Sequence, residues 1–95
     1  MQVKVESSYK RSLKKIQKKD KQLIPIIEDT LKLLLENKED TKLKYKKMEC
    51  KKNKNRYSIR IINKPFRILM NVSETSYNLV CVCDHDKYDH YNKNC

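Results

Sequence analysis

Arg60, Arg67, His85 and Tyr88 are the side chains of this sequence whose types and spacing could do chemistry together. An arginine presents planar, paired donors that match a phosphate. A histidine is the side chain that trades a proton near neutral pH. Arg60 stands in the segment YSIRI, residues 57–61, and Arg67 in FRIL, residues 66–69. His85 follows the apolar run from Tyr77 to Cys83, and Tyr88 lies three residues further on. Such a set addresses a phosphodiester. RNA carries its own nucleophile, so its cleavage requires only a base, an acid and positive charge on the phosphoryl oxygens. No metal and no other cofactor is required by that chemistry.

A metal is the obvious competing use of the same segment. Cys81, Cys83 and His85 alternate, and Cys50, His90 or Cys95 could add a fourth ligand. Zinc ligands usually project from turns, as Cys-x2–4-Cys knuckles, and not from alternate positions of an apolar strand. Cysteine is also among the most buried residue types. Cys81 and Cys83 are therefore read as core, and the metal reading is set aside.

Charge narrows the partner. The chain has 95 residues, 23 Lys and Arg against 12 Asp and Glu, and a net charge of +11. That excess favours a polyanion. Its placement says more than its size. From Lys42 to Arg67 there are eleven Lys and Arg residues and one acid, Glu49. Lys46, Lys47, Lys51, Lys52, Lys54, Arg56 and Lys64 are the candidates for gripping RNA or the ribosome. Beyond Arg67 come four acids, Glu74, Asp84, Asp86 and Asp89, and only two lysines. The competing reading is a solvated sheet face whose arginines pair with those aspartates.

Ninety-five residues make one domain, 1–95, with a thin core. The first residues hold no apolar secretory segment, and no apolar run reaches the ~20 residues of a membrane span. A cytoplasmic chain, with no membrane partner and with reduced cysteines, is the expectation.

These residues need elements to position them. Residues 2–6 alternate as a short strand. Ser7 or Ser8 can cap a helix in which Tyr9, Leu13 and Ile16 share a face, with lysines solubilising the other. Asp20 can cap a second helix, with Pro25 near its first turn and an apolar stripe of Leu23, Ile27, Leu31, Leu34 and Leu35. It should end near Asn37. Leu43, Tyr45 and Met48 suggest an irregular strand. Tyr57, Ile59 and Ile61 alternate with Ser58 and Arg60. Residues 63–65 make a tight turn, and Phe66, Ile68 and Met70 alternate with Arg67 and Leu69. Tyr77 to Cys83 reads as a central strand covered on both faces. Residues after Asp84 read as a short polar ending, with 91–95 a flexible tail. The class is α+β: a first strand, a two-helix hairpin, and a small antiparallel meander on which it packs. If the helices cover the Ile59 face, Arg60 lies on the open one, and Arg67, across the turn, could share it.

The order of these elements, the basic lead-in, YSIRI, FRIL, and the closing His85-x-x-Tyr88-Asp89 together resemble the RelE/ParE superfamily of bacterial toxins. The RelE- and HigB-like mRNA interferase branch is the most similar. The resemblance runs from the first strand to about Asp89. It implies a type II toxin that cleaves mRNA, commonly on the ribosome, and is neutralised by a cognate antitoxin. It implies that Arg60 and Arg67 hold the scissile phosphate, and that His85 donates a proton or binds phosphate. It implies that Tyr88, or Tyr91 under a different gap, orients the 2′-hydroxyl or stacks on a base. Two departures stand out. Glu49 and Cys50 replace a glycine before YSIRI, and Phe66 replaces a tyrosine. A ParE-like gyrase poison and a non-enzymatic basic RNA-binding module are the alternatives.

Overall fold

The computed structural model describes residues 1–93. The chain runs β1 (Gln2–Val5), α1 (Ser7–Lys19), α2 (Leu23–Glu36), β2 (Lys46–Lys47), β3 (Arg56–Arg60), β4 (Arg67–Val72), β5 (Ser76–Cys83) and α3 (His85–Lys93). The strands form one sheet in the order β1-β5-β4-β3-β2. The expected α+β arrangement is present, with two differences. The sheet is mixed, because β1 pairs parallel with β5. A third helix follows β5, so residues 91–93 continue α3 where a flexible tail was expected. Residues 94 and 95 lie outside the described residues.

The helical pair covers one sheet face. Tyr9 of α1 and Leu23, Ile27 and Leu34 of α2 are buried against Ile59, Ile61, Ile68, Met70, Leu79 and Val82. On α2 the buried face is Leu23, Ile27, Thr30 and Leu34, a spacing of 4, 3 and 4. Leu35 falls one step off that face and is exposed. Thr30 takes the inner place that a pure apolar stripe would give to leucine. Its hydroxyl donates to the Ile26 carbonyl and accepts the Ile62 N–H, so it is satisfied where it is buried.

Neither helix begins on the side-chain cap anticipated. The residue before α1 is Glu6, and no side chain caps it. Ser8 instead donates to the Val80 carbonyl, and Ser12 accepts the Val82 N–H at 3.0 Å while donating to the Tyr9 carbonyl. The strand β1 ends at Val5 while β5 runs on to Cys83. Two serines of α1 thus satisfy the β5 edge where β1 no longer can. Replacing Ser12 with alanine strands the buried Val82 N–H. A loss of roughly 1–3 kcal/mol in stability is expected by denaturant unfolding.

The region after α2 is less regular than its alternation suggested. β2 is two residues long. Leu43 is fully buried outside any strand, and Tyr45 stacks on Tyr57 with ring centroids 5.0 Å apart. With no glycine in the chain, left-handed backbone falls to Lys44 (φ 48°) and Asn63 (φ 57°). Asparagine tolerates that region well. Asn63 lets β3 turn tightly into β4, and the Ile61 N–H meets the Phe66 carbonyl at 3.0 Å across the turn.

Candidate functional site

The turn at residues 63–65 sets the register of the site. Arg60 and Arg67 are direct cross-strand partners. Alternation carries both to the face opposite the Ile59 and Ile68 core. The next partner of Arg67 is Cys83 of β5, the residue just before Asp84 and α3. A single row across three strands therefore leads from Arg60 through Arg67 to the start of α3.

All four candidates line one open cleft of about 350 Å³: Arg60, Arg67, His85 and Tyr88. Lys64 of the tight turn lines it too, and Phe66 and Asp84 complete its wall. Two guanidiniums placed side by side repel one another. Among the described residues neither forms an ion pair with Asp84, Asp86 or Asp89, so the charge is not neutralised from within the fold. Arg60 Nε donates to the Lys64 carbonyl at 3.3 Å, which ties it to the turn. The cleft is thus a concentrated positive field with donor groups already held in place.

Helix α3 explains how Arg67 is held. The guanidinium carbon lies 5.1 Å from the centre of the Tyr88 ring, a cation–π contact. The Tyr88 hydroxyl donates to Met48 Sδ at 3.0 Å. One face of the ring is therefore occupied by Arg67, and the hydroxyl is directed to a sulfur. In this arrangement the Tyr88 ring supports Arg67. Should the cleft act on RNA, Tyr88→Phe is expected to keep the cleavage rate within about threefold of wild type, because the ring remains. Tyr88→Ala should lower it by about tenfold, and initial cleavage rates of the two variants check this.

Of the two tyrosines, Tyr88 lines the cleft. Tyr91 packs with Tyr88 on the Met48, Leu69, Val80, Cys81 and Cys83 cluster but does not line this cleft. His85 is the first residue of α3 and is strongly exposed. Its Nε2 lies 3.5 Å from Asp89, one helical turn on. It lines the cleft and reaches solvent at its mouth. The Asp84 carboxylate accepts the Lys87 N–H at 2.9 Å and so caps α3. That cap, and the i, i+3 spacing of Tyr88 and Tyr91, were the sequence signals for a helix in the segment read as a polar ending.

The remaining basic candidates are spread out. Lys64 alone joins the cleft. Lys46 and Lys47 lie on the exposed edge strand β2, and Lys51, Lys52 and Lys54 in the loop that precedes β3. Arg56 sits at the far end of β3 from Arg60, where its Nε donates to Asn71 Oδ1 at 2.8 Å.

Cys81 and Cys83 are buried, as read. The Cys83 thiol donates to Cys81 Sγ at 2.6 Å. That bond lowers the Cys81 thiol to about 7, helped by the Ser12 hydroxyl and the Lys87 charge against the opposing effect of burial. Cys83 is pushed upward by the same bond and by burial. Cys50 is disulfide-bonded, so the expectation of reduced thiols does not hold for it. Among the described residues no three His, Cys, Asp or Glu side chains gather where they could hold a metal ion, and no helix is long and apolar enough to cross a membrane.

No protein-family model matches the chain, and no curated protein matches it by sequence. Solved structures do match it by fold. The YoeB dimer from Staphylococcus aureus superposes with a TM-score of 0.71 at 21% identity, over 90% of this chain and 97% of that one. A mutant of YafQ from E. coli gives 0.74 at 11% identity, over 90% and 94%. The heterotetrameric YoeB–YefM toxin–antitoxin complex, also from Staphylococcus aureus, gives 0.68 at 20%, over 90% and 97%. The helices and the mixed five-stranded sheet are those of the RelE-like fold of these neighbours.

Proposed function

From a RelE-like fold shared with YoeB and YafQ, we propose that this chain is the toxin of a type II toxin–antitoxin pair and cleaves mRNA without a metal. One observation carries the reading: Arg60 and Arg67 stand in register on one face, unpaired by any described acid, in a cleft that also holds Lys64 and His85. That is an arrangement for a phosphodiester.

The chemistry follows from the positions. The RNA 2′-hydroxyl attacks the adjacent phosphorus and gives up its proton to water in the open cleft, while the bond from phosphorus to the 5′-oxygen breaks. Arg67, steadied by Tyr88, and Arg60 carry the charge that grows on the non-bridging oxygens. His85 at the cleft mouth gives its proton to the departing 5′-oxygen. The products are a 2′,3′-cyclic phosphate and a 5′-hydroxyl. Lys46, Lys47, Lys51, Lys52, Lys54 and Arg56 extend positive charge along the strand edge and loop, where mRNA or ribosomal RNA would lie, so binding should weaken steeply with salt. The toxin–antitoxin complex among the structural neighbours supports an antitoxin as the second partner. Translating ribosomes would place the reaction in the cytoplasm.

The test is cleavage of mRNA on translating ribosomes, with the chain freed of its antitoxin and EDTA present. Wild type should cut. His85→Ala should lose about 10²–10⁴-fold, the usual worth of a positioned proton donor. An intact message with wild type would remove the nuclease reading, and DNA damage in its place would favour the gyrase alternative.

A further inference from the structure

A second cleft adjoins the first and differs from it in chemistry. It also measures about 350 Å³ and lies between α1 and the start of α3. Ile16, Val82 and Phe66 give it an apolar floor, and Lys15, Lys19 and Lys87 stand around it. Phe66 and Asp84 line both clefts, so the two share a wall. Phe66, just before β4, borders both clefts, while Arg67, the first residue of β4, lines only the first. Asp20 and Asp84 also line the second cleft, two carboxylates against three lysines. Asp20 accepts the Gln22 N–H and Asp84 the Lys87 N–H.

We infer that this second cleft is a nucleobase subsite for the nucleotide next to the phosphate held by Arg60 and Arg67. An inference of this kind rests on the RNA-cleaving reading and specifies where the strand goes. A polar cleft beside an apolar one rimmed by ammonium groups matches the alternation of a nucleic acid strand, phosphate then base then phosphate. Phe66 supplies a stacking surface that any base can use, and the lysines take the flanking phosphate. Lysines of α1 that read as a solubilising face thereby acquire a ligand. The volume is within the roughly 300–1,000 Å³ of small-ligand sites.

The test is binding by the full chain of a short single-stranded RNA whose 2′-hydroxyls are methylated, so that it cannot be cut. Fluorescence anisotropy is read with a base-free nucleotide at each position in turn. At one position, loss of the base should weaken binding by wild type roughly 5- to 150-fold. Phe66→Leu keeps apolar volume without a ring face. It should lose most of that affinity and become indifferent to the missing base. Lys15→Glu with Lys19→Glu, both changes on the helix surface, should flatten the salt dependence without disturbing the fold. If every base-free oligonucleotide binds wild type equally while Arg67→Ala weakens binding, the subsite is overturned and the RNA-cleaving reading stands. If Arg67→Ala and Phe66→Leu both bind as wild type does, both readings fall.

Discussion

Arg67→Ala is expected to slow RNA cleavage by about 10²–10³-fold while the chain stays folded. Arg67 is the central member of the row from Arg60 to Cys83, and it alone of the two arginines is braced by an aromatic ring. On the proposed mechanism, removing it takes away a positioned donor where transition-state charge would develop. Arg67→Lys should recover only part of the rate, since an ammonium is a point charge without the paired planar donors. Stability should barely change. The lost contact with Tyr88 is offset by relief of repulsion from Arg60, each worth about 1 kcal/mol or less. Cleavage rates and thermal unfolding measured on the same preparation separate the two effects. A large fall in melting temperature would mean that Arg67 is structural, and an unchanged rate would remove it from the site.

Leu79→Ala should be the most damaging of the core changes. Leu79 is fully buried in β5, between β1 and β4, and packs with the helical layer. Truncating a leucine at such a position costs about 2–5 kcal/mol, because the rigid surroundings leave a cavity. A domain of this size holds only about 5–10 kcal/mol in total. The melting temperature should fall by ~10 °C or more. Val5, exposed on the edge strand beside Leu79, supplies the control: Val5→Ala should cost less than about 1 kcal/mol. Comparable losses at both positions would contradict the burial assigned to them.

The grouping of the four candidates was more legible than the scaffold that brings them together. Arg60 and Arg67 could be read because strand alternation is strict and a three-residue turn leaves little freedom in register. His85 could be read because it follows an apolar run that must end at the sheet rim. The contacts of Tyr88 were not legible, since no local pattern says that its ring lies on Arg67 and its hydroxyl on Met48, forty residues back. Helix α3 was missed because its polar composition hides a short amphipathic face. The Asp84 cap and the two tyrosines three residues apart were the available signals. The α1 lysines could be read only as a solvated face, because the groove they border exists only once α3 is docked.

The chain by itself determined its class, the strand alternation that gathers two arginines, and the positive field around them. Those properties depend on neighbours within a few residues, where backbone periodicity is enough. Tertiary structure alone decided that β1 joins the sheet parallel to β5, that serines of α1 finish the β5 edge, and that Tyr88 and not Tyr91 reaches the cleft. It also decided that an apolar cleft lies beside the charged one. Each of these brings together residues far apart in sequence, and such contacts are selected by which buried groups can be packed and hydrogen-bonded at once.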